Sequence, residues 1–137
     1  MKNTILGIHH ITAIAGDAQR NFNFYANVLG LRFIKKTVNF DDPGTYHFYF
    51  GDEIGSAGTI LTFFPWGEGI QQGRKGSGMA TEIGYSVPKG SLDFWQQRFE
   101  KYNVNCLTIE EILPIVETFP LAPVKTLHKD GLYPRSF

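Results

Sequence analysis

Residues 5–15 form a largely apolar run, rich in β-branched side chains, broken by His9, His10 and Thr12 and short of turn formers until Gly16. A period of two predicts a strand with His10, Thr12 and Ile14 on one face and His9, Ile11 and Ala13 on the other. Asp17 is a candidate helix N-cap. Phe22, Tyr25 and Leu29 then recur at helical spacing, which predicts an amphipathic helix over 18–29, closed by Gly30 at the position that needs a left-handed backbone. Residues 31–40 read as a strand with Lys35 and Lys36 near its middle. Asp41-Asp42-Pro43-Gly44 is a turn, the aromatic run 45–50 is a strand, 51–58 is a loop, and 59–64 is a last strand stopped by Pro65.

Residues 67–78 hold five glycines around Arg74 and Lys75. The spacing fits neither glycine-rich phosphate fingerprint, so a phosphate cradle is excluded. The segment reads equally as a linker or as a lid. The pattern then restarts: a strand over 79–87, a turn at 88–90, Ser91 as N-cap, and Leu92, Trp95 and Phe99 as a second helical stripe. Setting residues 82–87 over 10–15 places Glu82 at the position of His10. The expectation is an α+β fold of paired βαβββ modules forming a curved, cup-like mixed sheet, with the second module incomplete. Its divisions are a first module at 1–66, a linker loop at 67–78, the start of a second module at 79–109 and an irregular tail at 110–137. Val104 opens one further strand candidate. Beyond it Pro114, Pro120, Pro123 and Pro134 fall where sheet is expected, and proline removes a ladder donor.

Lys+Arg and Asp+Glu are 13 each, and this balance argues against nucleic acid or an acidic membrane surface as a partner. No apolar run is long enough to span a bilayer. The N-terminus lacks a continuous signal-peptide core. The single cysteine, Cys106, forms no internal disulfide and reads as a core thiol. Together these suit a cytoplasmic protein.

The candidate chemistry is sparse. Of four histidines, His9 and His10 are adjacent, His47 sits in the aromatic strand and His128 lies in the tail. If the two modules pair about a pseudo-twofold axis, His10 and Glu82 enter one cavity, and imidazole with carboxylate suits Fe(II), Mn(II) or Zn(II). The competing readings are a hydrogen-bonded strand histidine and a solvated glutamate. Cysteine pairs for zinc, nucleophile elbows and H-E-x-x-H are lacking.

The stretch Gly7-Ile8-His9-His10-Ile11-Thr12-Ala13-Ile14-Ala15-Gly16-Asp17 resembles the opening of the vicinal oxygen chelate superfamily, also called glyoxalase/bleomycin-resistance/dioxygenase. Phe24-Tyr25-Ala26-Asn27-Val28-Leu29-Gly30-Leu31, residues 35–47, residues 58–65, Gly73-Arg74-Lys75-Gly76 and residues 87–92 extend the likeness from about Gly7 to Tyr102. It is strongest to the N-terminal domain of ring-cleaving dioxygenases that act on hydroquinones. The resemblance implies a metal-binding, Fe(II)-dependent oxidoreductase with His10 as a metal ligand, His9 and Thr12 beside the metal as catalytic residues, and Glu82 as a ligand where a second repeat supplies one. It implies a small aromatic or dicarbonyl substrate, and a homo-oligomer or association with a missing C-terminal half. A glutamate that closes such modules has no counterpart after Asp130-Gly131, as a truncation or frame shift would produce. Two alternatives stay open: a metal-free aromatic-binding module of the bleomycin-resistance type, and an inactive remnant.

Overall fold

The computed structural model describes residues 4–74, 76–78, 80 and 82–106. The tail over 110–137, with its four prolines and His128, and the end of the strand expected from Val104 lie outside the described residues. The chain divides into two compact units, Met1–Gly73 and Arg74–Phe137.

The first unit is α+β. Strand β1 (His10–Ala15) leads through Asp17 into α1 (Ala18–Phe22), which continues as a π-helical turn over Asn23–Val28. Strands β2 (Arg32–Val38), β3 (Tyr46–Gly51) and β4 (Ile60–Pro65) follow. They form an open mixed sheet in the order β1-β4-β3-β2. β1 runs parallel to β4, and the other pairs are antiparallel. The βαβββ pattern of the first module is thus present. β1 is shorter than the alternation predicts, because β4 offers six partners, from Ile60 opposite His10 to Pro65 opposite Ala15.

Asp17 caps the helix as expected, its carboxylate accepting from the Arg20 N–H at 2.6 Å. The π-helical turn is the departure. The Leu29 N–H reaches back to the Phe24 carbonyl at 3.0 Å, and the wider turn inserts one residue into the helical phase. Val28 is therefore buried, where the stripe predicts Leu29. Gly30 closes the element at φ 71°, and the Leu31 N–H caps the Tyr25 carbonyl at 2.9 Å. Gly30→Ala forces a Cβ into the left-handed region, and an expected loss of about 1 kcal/mol of stability should appear in the urea unfolding midpoint.

The helix covers one face of the sheet with aromatic rings. Phe22 meets Phe33 edge to face at 5.1 Å, and Tyr25 lies 5.4 Å from Phe50 and 4.5 Å from Phe63. Phe48, Leu61, Leu31 and Val28 complete the buried set. β2 carries a bulge between Phe33, which pairs with Phe50, and Lys35, which pairs with Tyr49. The additional residue, Ile34, packs where Cβ atoms on Gly51 and Gly55 would stand. Phe33 therefore faces the helix, whereas Lys35 faces the opposite side.

In the second unit the described helix is α2 (Leu92–Lys101), with Trp95 buried as its stripe predicts. Ser91 stands at the cap position, but its hydroxyl makes no capping bond. The strand expected over 79–87 is not formed in its described part: residues 82–87 are irregular, as are 104–106. Strand formation needs a ladder, and among the described residues the sheet consists of β1, β4, β3 and β2. Cys106, expected in the core, is exposed on that irregular stretch. Among the described residues no helix is long and apolar enough to cross a membrane.

Candidate functional site

The sheet face opposite the helix is polar, and strand register alone assembles it. Thr12 pairs with Thr62, Thr62 with Tyr49, and Tyr49 with Lys35. These four residues make one row across the sheet, with neighbouring strands about 4.8 Å apart. The Thr62 hydroxyl, fully buried, donates to the Thr12 hydroxyl at 2.8 Å. The neighbouring row holds Phe64 and His47, whose rings lie 4.1 Å apart. His10 shares the Thr12 face by the alternation of β1 and is exposed at the strand's start.

His9 departs from its expected position on the other face. It precedes the ladder, so strand alternation does not bind it. Its carbonyl accepts from the Gly58 N–H at 2.7 Å. Its ring turns edge-on to His10, with the two Nδ1 atoms 3.2 Å apart. One imidazole donates to the other there, which leaves the His10 Nε2 available to a ligand. A metal-binding histidine characteristically has its second ring nitrogen held in this way. Among the described residues no group of three or more His, Cys, Asp or Glu is placed to hold a metal ion. These residues offer one oriented imidazole and not a whole metal centre. Glu82 is exposed on the irregular segment of the second unit.

His47, placed by the sequence in the aromatic strand, belongs to this face. The Tyr49 hydroxyl lies 2.8 Å from its Nδ1, and the Lys35 ammonium sits 4.3 Å above the Tyr49 ring. Burial, then the charges of Lys35 and His10, lower the His47 pKa, so the ring is neutral at pH 7. The unfolded chain accepts its proton near the ordinary histidine value, before the folded chain does. Stability contributed by His47 is therefore present above that value and falls as pH drops through it. Urea midpoints at pH 7.5 and 5.5 should show a loss on acidification that shrinks in His47→Gln. The sequence signal was available: His47 and Tyr49 are two apart in a strand and share a face.

A family profile described as Glyoxalase/Bleomycin resistance protein/Dioxygenase superfamily matches residues 7–110. MhqO of Bacillus subtilis (strain 168), provisionally named a ring-cleaving dioxygenase, is 58% identical over 110 residues, 80% of this chain and 35% of MhqO. The chlorohydroquinone/hydroquinone 1,2-dioxygenase of Sphingobium indicum is 37% identical over 106 residues, 77% of this chain and 33% of that protein. A crystal structure of a Bacillus subtilis protein provisionally described as a dioxygenase superposes with a TM-score of 0.66 at 57% identity, over 73% of this chain and 32% of that one. The chain thus spans about a third of the length of the curated relatives it matches.

Proposed function

The chain belongs to the Glyoxalase/Bleomycin resistance protein/Dioxygenase superfamily, and from that premise we propose that it supplies the N-terminal part of a ring-cleaving dioxygenase acting on dihydroxy-aromatic compounds. The observation that carries the reading is the exposed His10 imidazole, its Nδ1 engaged by His9, on the same face as Thr12. In this reading His10 is one ligand to Fe(II), and the described residues do not by themselves complete the set. A divalent metal held there would supply Lewis-acid chemistry toward a ring hydroxyl.

The chain's own residues orient the partners. His9 fixes the His10 ring. Thr12, whose oxygen already accepts from Thr62, keeps its own proton to donate to a ligand oxygen. Tyr49 and Phe64 provide aromatic surface for a flat substrate. The relatives named for hydroquinone and ring cleavage support that substrate class.

Oxygen uptake tests the proposal. The chain is loaded with Fe(II) and assayed with hydroquinone, alone and mixed with a polypeptide corresponding to the remainder of MhqO. Uptake of one O₂ per ring opened, in the mixture or alone, supports the reading. Metal-free binding of the aromatic compound with no uptake in either case replaces it with the small-molecule binding module.

A further inference from the structure

We propose that Tyr49, held by His47 and lying beneath Lys35, is a specificity-determining residue that recognises a hydroxyl on an aromatic ligand. The inference rests on the reading above and adds a residue to it. Three contacts restrain the phenol. Its oxygen is 2.8 Å from the His47 Nδ1, its ring is 4.2 Å from the His47 ring, and the Lys35 Nζ sits 4.3 Å over its face. His47 is pinned in turn by Phe64, ring to ring at 4.1 Å.

The direction of the Tyr49–His47 bond follows from electrostatics. A cation over the ring face draws electron density from the phenol, which strengthens its O–H as a donor. A neutral imidazole then accepts that proton's hydrogen bond at Nδ1 and carries its own hydrogen on Nε2. The Nε2 atom is closed to water and has no hydrogen-bond partner among the described residues, so the ring has no competing contact to turn it away from Tyr49. With its hydrogen committed to His47, the Tyr49 oxygen presents lone pairs and acts as an acceptor. An acceptor fixed this way takes a hydrogen bond from a ligand O–H and gains nothing from an ether or a bare ring. Sites built to bond a hydroxyl reject analogues that lack it.

Placement ties this acceptor to the rest of the polar face. Tyr49 stands in one row with Thr62 and Thr12, two strands from Thr12 and roughly 10 Å away at the backbone. A flat diol anchored at the His10 and Thr12 end therefore directs its outer oxygen along the row toward Tyr49.

The test is a binding titration of the full chain with hydroquinone and with 1,4-dimethoxybenzene, which keeps the ring and both oxygens but has no O–H. The wild-type chain should prefer hydroquinone by about tenfold, the worth of one good hydrogen bond. Tyr49→Phe should erase that preference while leaving dimethoxybenzene affinity unchanged. Correlation of histidine ring nitrogens by NMR should show the Nε2–H tautomer at His47, and hydroquinone alone should move its resonance. His47→Gln retains an acceptor and should keep part of the preference. A Tyr49→Phe chain with a wild-type unfolding midpoint and an intact preference overturns the proposal. A wild-type chain that binds both compounds equally also overturns it and leaves the dioxygenase reading standing. A wild-type chain that binds neither compound, even with the remainder of MhqO present, overturns both.

Discussion

Phe50→Ala should lower stability by about 3–5 kcal/mol, the range for emptying a buried aromatic site. Phe50 has no exposed surface. Its ring lies within 6.5 Å of the rings of Phe22, Tyr25, Phe33, Phe48 and Phe63. These neighbours come from the helix and three strands, so one truncation loosens the helix–sheet contact from both sides. A whole domain is held by about 5–15 kcal/mol, so a large fraction of the chains should unfold at 37 °C. Urea unfolding followed by circular dichroism measures the shift. Phe50→Leu, which keeps most of the bulk, should cost clearly less. A loss below about 1 kcal/mol for the alanine variant would show that the aromatic cluster is not the core.

His10→Ala should do the reverse, damaging metal binding while sparing the fold. The side chain is exposed and its loss opens no cavity. Removing an outer hydrogen-bond partner of a metal ligand already costs about 10–100-fold in affinity, and removing a ligand itself should cost more than a hundredfold. The measurement is metal content and Fe(II) affinity of the chain assembled with the remainder of MhqO, beside the unfolding midpoint of the chain alone. His9→Ala, which frees the His10 ring without deleting it, should fall in the tenfold to hundredfold range. Equal metal content in the wild-type and His10→Ala assemblies would remove His10 from the centre.

Much of the first unit was legible because its signals are local. The alternation of β1 assigns His10 and Thr12 to one face, and β1 is alternately exposed and half-buried as that pattern requires. Asp17 and Gly30 mark the helix ends by cap chemistry alone. The phase within the helix was not legible, because spacing assumes 3.6 residues per turn and the widened turn at Asn23–Val28 shifts it by one residue. In β3 nearly every residue is aromatic, so spacing ties His47 to Tyr49 but polarity does not tell which side of the sheet the pair lies on. Residues 82–87 have the composition of a strand, but pairing is non-local, and composition supplies no partner. The neighbour relation between His9 and His10 depends on where the ladder begins, which the length of β4 sets.

The bulge in β2 makes the strand tolerant of a change in length at one position. Phe33 and Lys35 are two apart, yet they look to opposite sides of the sheet because Ile34 is absorbed as a surplus residue. Deleting Ile34 alone would straighten the strand and keep Lys35 paired with Tyr49, with only the space against Gly51 and Gly55 left unfilled. A one-residue deletion at this position should therefore leave the charge beside the phenol in place, without exchanging it for a greasy side chain.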